Sequence, residues 1–209
     1  KPVKDKTKTN NKLAHGFMHN LVDDKVNYLL LKPYSLICED ETYLEAVKNI
    51  LGSRFQRRLA QLGIEASNKG IAWLHVYIDA EGNFKVMKIP SEQCIPIWTD
   101  NDHEELQGFI RYYDVEVYEG RDKKIITKVE YWTPETVDYY VMQDGKVILD
   151  SEMYLDDENN YDGHFKVNEE PYSWNKVPFI PFKNNDMELP DLQFVKTLID
   201  NYDLTRSDI

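Results

Sequence analysis

His15 and His19 lie four residues apart, a spacing that could set two zinc ligands on one face of a helix. Gly16 and Phe17 stand between them where the metalloprotease pattern requires a glutamate, so the pair lacks the general base of that chemistry. The run Glu158-Asn-Asn-Tyr-Asp-Gly-His-Phe-Lys-Val-Asn-Glu169 puts Glu158, Asn160, Asp162, Gly163 and Glu169 at the first, third, fifth, sixth and twelfth positions of a calcium loop. Glu replaces the usual Asp at the first position, Lys166 occupies the ninth, and Pro171 falls where an exit helix should begin. The alternative for this run is a solvated acidic loop. Nucleophilic catalysis finds no support, because the sequence has neither Gly-x-Ser-x-Gly nor a glycine-rich phosphate loop. His75, between Trp73 and Tyr77, reads as a packed or edge histidine rather than a base. No catalytic, cofactor-binding or metal-binding residue is therefore assigned.

Binding chemistry is equally constrained. A formal charge of -12 opposes wrapping by nucleic acid, which needs Lys and Arg to displace counterions from phosphates. A wall that DNA slides past remains compatible with that charge. Lys1, Lys4, Lys6, Lys8 and Lys12 could touch phosphates, but a short lysine-bearing terminus reads as a disordered end, here a basic tail over 1–10. Arg54, Arg57 and Arg58 read as a solvated helix face. Cys38 and Cys94, far apart in apolar surroundings, are expected to be buried free thiols in a cytosolic fold. The longest apolar run, 28–31, is too short to cross a bilayer, and the start carries no signal-peptide pattern, so a soluble chain without a membrane partner is expected.

These residues need elements to position them. Leu13, Phe17, Leu21, Val22, Val26 and Leu29 repeat at helical spacing and Pro33 stops them, predicting a long first helix over 11–31. Thr42 with Glu45 and Ser53 with Gln56 have capping-box spacing on either side of Gly52, predicting a helix pair that breaks there. Phe55, Leu59, Leu62 and Ala66 continue the apolar stripe to about residue 69.

From Ile71 the period becomes two, and 71–78 with 84–89 reads as a hairpin whose first strand is apolar on both faces. Further strands are expected over 109–118, 125–132, 136–142 and 147–149, an antiparallel meander. The stretch 150–162, with Asp150, Glu152, Asp156, Asp157, Glu158 and Asp162, reads as a mobile acidic loop. A short strand over 177–182 and a helix from Glu188 complete an α+β order. That helix places Leu192, Val195, Leu198, Ile199 and Tyr202 on one stripe and is still in mid-pattern at Ile209. Since residue 1 is Lys, the chain is expected to be a piece of a larger protein. Its parts divide into tail 1–10, helical arm and pair 11–69, mainly antiparallel β region 70–183, and final helix 184–209.

Four blocks in order resemble the SPP1-like portal proteins of tailed bacteriophages. The first is Asn10-Asn-Lys-Leu-Ala-His-Gly-Phe-Met-His-Asn-Leu-Val-Asp-Asp-Lys-Val-Asn-Tyr-Leu-Leu-Leu-Lys-Pro33. The second is Ala66-Ser-Asn-Lys-Gly-Ile-Ala-Trp-Leu-His-Val-Tyr-Ile-Asp79, and the third is Ile89-Pro-Ser-Glu-Gln-Cys-Ile-Pro-Ile-Trp98. The fourth spans 174–208 around Val177-Pro-Phe-Ile-Pro-Phe-Lys-Asn-Asn185. None is a catalytic signature.

The resemblance implies a structural, non-enzymatic channel subunit at one capsid vertex, in a homo-oligomeric ring of about a dozen copies. It implies passage of double-stranded DNA without sequence reading, and a terminase, capsid and scaffolding proteins and head-completion proteins as partners. It further implies a location in the virion after assembly in the host cytoplasm, and no cofactor. In such proteins this chain would supply the wing side, with 184–209 leading toward the stem; clip, tunnel loop and crown would follow Ile209. Two other readings stay open from the residues alone. One is a metal-dependent hydrolase built on His15, His19 and the acidic loop, and the other is a calcium-binding interaction domain built on 158–169.

Overall fold

A computed structural model describes residues 14–79, 81–143, 145–154, 163–168 and 170–207. Its elements run α1 (Phe17–Leu30), α2 (Glu41–Leu51), α3 (Phe55–Lys69), β1 (Ile71–Ile78), β2 (Phe84–Ile89), β3 (Cys94–Trp98) and β4 (Leu106–Glu119). Then follow β5 (Asp122–Trp132), β6 (Val137–Gln143), β7 (Lys146–Leu149), β8 (Phe165–Val167), β9 (Glu170–Tyr172), β10 (Phe179–Lys183) and α4 (Leu192–Ser207). The class is α+β, as the periodicities require. The strands form sheets ordered β10-β1-β2, β3-β4-β5-β6-β7 and β8-β9. By internal contacts the chain divides into one unit of Lys1–Glu45, Gly52–Ala72 and Phe182–Ile209, and another of Ala46–Leu51 and Trp73–Pro181.

The first unit is built on α1 against α3. Val22 and Val26 of α1 meet Ala60 of α3, with Met18, Leu30 and Ile64 around them. The packed row is thus Met18-Val22-Val26-Leu30 at four-residue spacing, while Leu21 and Leu29 of the expected stripe are exposed. Gly63 lets the helices close up, since a Cβ there would lie 2.4 Å from the Leu30 Cδ1 and 3.3 Å from a Val26 methyl. Helix α1 starts at Phe17, well inside the expected 11–31; residues 11–13, like the tail 1–10, fall outside the described residues.

Both expected capping boxes are replaced by other bonds. Asp40, not Thr42, caps α2, its Oδ1 accepting the Tyr43 N–H at 3.0 Å. Gln56 does not reach back along its own helix; its Nε2 donates to the Leu30 carbonyl and, at 3.1 Å, to that of Lys32. These carbonyls are orphans of the α1 C-terminus, so Gln56 closes the neighbouring helix instead. Helices α2 and α3 do break at Gly52, where φ is 67°.

In the second unit, an aromatic core fills the space on one side of the meander. Phe109 stacks on Phe179 at 3.9 Å and meets Trp73 edge-on at 4.8 Å, and Trp132 approaches Phe179 at 5.6 Å. His75 lies among them, 3% exposed and stacked 4.4 Å from Phe179, with Nδ1 donating to the Pro178 carbonyl at 3.1 Å. It is a packed histidine, as its neighbours predict.

Burial pushes the His75 pKa down to about 4, against a partial offset from the Pro178 bond. Above pH 6.5 both folded and unfolded forms are neutral and stability is complete; below it the unfolded chain takes up the proton first. Stability of this unit is expected to fall by up to about 3 kcal/mol between pH 6.5 and 4. Urea titrations at stepped pH measure this, and His75→Phe should flatten the slope. A residual slope of the same sign belongs to His164, lowered by burial, with Nε2 donating to the Thr133 carbonyl and Nδ1 accepting from the Trp174 N–H.

Registers in the five-stranded sheet assign its two faces. Phe109, Trp132 and Val137 stand opposite one another and are buried, and the next row on that face is Arg111, Glu130 and Tyr139. The other face carries Tyr112, Val129, Tyr140 and Leu149 in one row and Asp114, Thr127, Met142 and Val147 in the next. β3, which periodicity missed, is an edge strand, the position that tolerates Pro96.

Candidate functional site

The densest polar constellation of the first unit lies at the start of α4. Asn184 follows β10, and its side chain uses its full bonding capacity: Nδ2 donates to the Leu189 carbonyl at 2.9 Å and to Asp191 Oδ1 at 2.7 Å. Its Oδ1 accepts from Lys25 Nζ at 2.6 Å and from Ser67 Oγ at 3.4 Å. Lys25 also reaches Asp191 Oδ2 at 2.8 Å, and the Asp191 N–H donates to the Ser67 carbonyl at 2.9 Å. Burial works against the Asp191 charge, but the bonds from Asn184 and Lys25 outweigh it and hold the carboxyl below its usual range.

Gly70 forms the other wall. It ends α3 with its N–H on the Ala66 carbonyl at 2.7 Å, and its own carbonyl accepts the Asn184 N–H at 2.9 Å. A Cβ at Gly70 would lie 1.9 Å from the Glu188 carbonyl oxygen. The loop itself is wound by Asn185, whose Oδ1 accepts the N–H groups of Met187 and Leu189, both at 3.1 Å. Thus α1 through Lys25, α3 through Ser67 and Gly70, and the β10 exit through Asn184 converge on the first residues before α4. This clasp fixes where α4 begins and in which direction it leaves.

Farther along, His15 Nδ1 bonds Asp203 Oδ1 at 2.6 Å, and Tyr202 meets the rings of His15 and Phe17 edge-on, each at 5.3 Å. Val195, Ile199 and Asp203 are the half-buried side of α4, while Phe194, Leu198 and Leu204 are exposed.

Removing Asn184 is expected to be the costlier of two clasp substitutions. Asn184→Ala should destabilise by about 2 kcal/mol because it strips Asp191 Oδ1 of its amide donor and leaves Ser67 Oγ short of an acceptor. Lys25→Met, which removes a partly exposed ion pair, should cost about 1 kcal/mol or less. Denaturant midpoints of the two variants check the order.

Other residues considered for chemistry are placed elsewhere. His15 precedes α1 rather than sharing a helix with His19, which pairs with Asp23 at 3.3 Å. Among the described residues no group of three or more His, Cys, Asp or Glu could hold a metal ion. Of the calcium-like run, 158–162 and 169 fall outside the described residues; Phe165–Val167 pairs as a strand with Glu170–Tyr172, where an exit helix would start. Cys38 is exposed and Cys94 half-buried, neither in a disulfide, so neither is the buried thiol expected from its apolar neighbours.

Asp150 is the opposite correction. Its carboxylate is 3% exposed, accepts Lys128 Nζ at 2.6 Å and caps the turn Ser151–Tyr154 through the Glu152 N–H at 3.2 Å. It anchors the sheet rather than opening a mobile loop; residues 155–162 lie outside the described residues.

The model of the family "Phage portal protein, SPP1 Gp6-like" matches residues 3–209. The chain belongs to this family. It is 36% identical over 199 residues to the portal protein of Bacillus phage SPP1, covering 95% of this chain and 38% of that protein. To the portal protein of Clostridium phage phiCD119 it is 34% identical over 208 residues, covering 94% of this chain and 43% of that protein. The chain therefore spans less than half the length of these portal proteins. In this portal-family chain the clasp joins three of the four blocks that carry the sequence resemblance, supplying Lys25 from the first, Ser67 and Gly70 from the second, and Asn184 and Asp191 from the fourth. Sequence periodicity could not have found it, because its members are polar residues of three separate segments. Asn184-Asn185 and Gly70 stood in the sequence only as members of the blocks that carry the resemblance. No described helix is long and apolar enough to cross a membrane.

Proposed function

We propose that this chain is the wing-side part of a portal subunit, one copy in a ring of about a dozen at a single capsid vertex. The observation that carries the reading is the family match over 3–209, together with two portal proteins each aligned to at least 94% of the chain. On this reading the protein is structural and not an enzyme, and works in the virion after assembly in the host cytoplasm. The complete ring passes double-stranded DNA during packaging and ejection. It docks a terminase, capsid and scaffolding proteins and, later, head-completion proteins.

The chain's charge of -12 suits a body that phosphates pass without adhering. The clasp suits a rigid launching point, with α4 leading from the wing toward the stem. In that role the residues over 11–69, 70–183 and 184–209 serve as helical arm, β wing and stem-ward helix. Negative-stain imaging of the full-length gene product tests the proposal. Closed rings are expected, and a stable compact monomer at that length overturns it.

A further inference from the structure

Among the described residues, one face of the five-stranded sheet is left without cover in its own unit. Cross-strand register puts Tyr112, Tyr118, Ile125, Met142, Val147 and Leu149 on this face, and each is between 40% and 66% exposed. An antiparallel sheet with one solvated face normally alternates to polar residues there. Here the ionic residues on the face are Asp114, Glu116 and Asp138 against Lys123, which already pairs with Glu116 at 2.7 Å. The face is apolar with a net negative charge, and apolar patches of this breadth mark interaction surfaces.

The first unit carries an apolar surface of the opposite sign. Gln56 ties the α3 start to the α1 end through the carbonyls of Leu30 and Lys32, and Tyr34 meets Phe55 edge-on at 5.8 Å. That end exposes Leu31 and Tyr34, and the start of α3 carries Arg54, Arg57 and Arg58, none of them ion-paired among the described residues.

We propose that the uncovered sheet face of one copy is covered by the α1/α3 end of the next copy. This rests on the ring reading above, since a cyclic ring requires two different, mutually complementary surfaces on each subunit. Charge selects the pairing. This part of each copy carries -12, so these parts repel unless surfaces of opposite sign meet. Sheet face against sheet face would bring Asp114, Glu116 and Asp138 of both copies together. The arginine end instead supplies the missing cations to Asp114 and Asp138, while Leu31 and Tyr34 cover apolar side chains such as Met142 and Val147.

Oxidative cross-linking of the full-length protein tests this, in a background of Cys38→Ser and Cys94→Ser. Arg57→Cys with Met142→Cys in the same chain is expected to give a ladder of covalent multimers, because a head-to-tail contact propagates. Either substitution alone should leave monomers. Dimers from Met142→Cys alone would show the face pairing with itself, and a double variant that stays monomeric would show that the surfaces do not meet; either overturns the proposal. Independently of disulfide geometry, Arg57→Glu should weaken association about tenfold, and Asp114→Lys in the same chain should restore it. Failure of that rescue also counts against the pairing. Rings in the microscope without the ladder would sink this contact and leave the portal reading intact, whereas a ladder without closed rings would do the reverse.

Discussion

Replacing Gly70 with Ala is expected to destabilise the helical unit by about 4 kcal/mol, well beyond the cost of an ordinary glycine substitution. Two effects combine. At φ 93° an L side chain is strained, which costs about 1–2 kcal/mol by itself. In addition, the new Cβ would sit 1.9 Å from the Glu188 carbonyl oxygen, 2.7 Å from the Glu188 carbonyl carbon and 3.2 Å from that of Leu189. These are backbone atoms, so no rotamer change relieves the overlap.

The loop cannot retreat cheaply either. Asn185 holds the Met187 and Leu189 N–H groups, and Asn184 holds the Leu189 carbonyl and Asp191. Moving the loop away therefore breaks the clasp that starts α4. Gly82 supplies the control, because it also has positive φ, 80°, but nothing lies within 4 Å of its would-be Cβ. Gly82→Ala should cost about 1 kcal/mol, strain alone. Urea unfolding of the two variants followed by circular dichroism measures the difference. Equal losses would mean that the loop yields freely and that Gly70 is not a wall of the clasp.

The elements legible in the sequence were those whose signal is local. β1 and β2 lie at the bounds that alternation gave them, since a period of two over 71–78 and 84–89 is reinforced by the turn chemistry of Asp79 and Asn83. The break at Gly52 was equally local. The misreadings share a different cause: a partner distant in sequence. Gln56 was free to cap its own helix until α1 offered unpaired carbonyls 24 and 26 residues away. Asp150 opened an acidic stretch, yet Lys128, 22 residues earlier, drew it into the sheet. Leu21 and Met18 were interchangeable on a helical wheel until Ala60 and Gly63 fixed which side of α1 could approach α3. The clasp is the extreme case, for Lys25 and Asp191 are separated by 166 residues.

The same dependence on distant partners makes Glu130 the most consequential side chain of the sheet. It is 6% exposed, with Oε1 accepting from Arg111 Nη1 at 3.4 Å across the strands and Oε2 accepting from Trp132 Nε1 at 3.0 Å. The neighbouring Tyr113 phenol is pushed up to about 12, by burial first and then by the charge and hydrogen bond of Glu130. Glu130→Leu would leave a guanidinium whose Nε is already buried without a partner, and an indole N–H with none. The expected loss is about 3–5 kcal/mol, most of it the penalty of an uncompensated buried charge rather than the worth of the pair. It follows that removing the charge as well should recover stability: Glu130→Leu with Arg111→Met should be more stable than Glu130→Leu alone, by about 1–2 kcal/mol. Urea midpoints of the three variants decide this. Spectrophotometric titration of tyrosine adds a local readout, because loss of the carboxylate should move the Tyr113 phenol back toward its ordinary value while burial keeps it from arriving there. A double variant as weak as the sum of its parts would mean that Arg111 is stabilised by its stacking over Tyr113, 4.3 Å from the ring centre, rather than by Glu130.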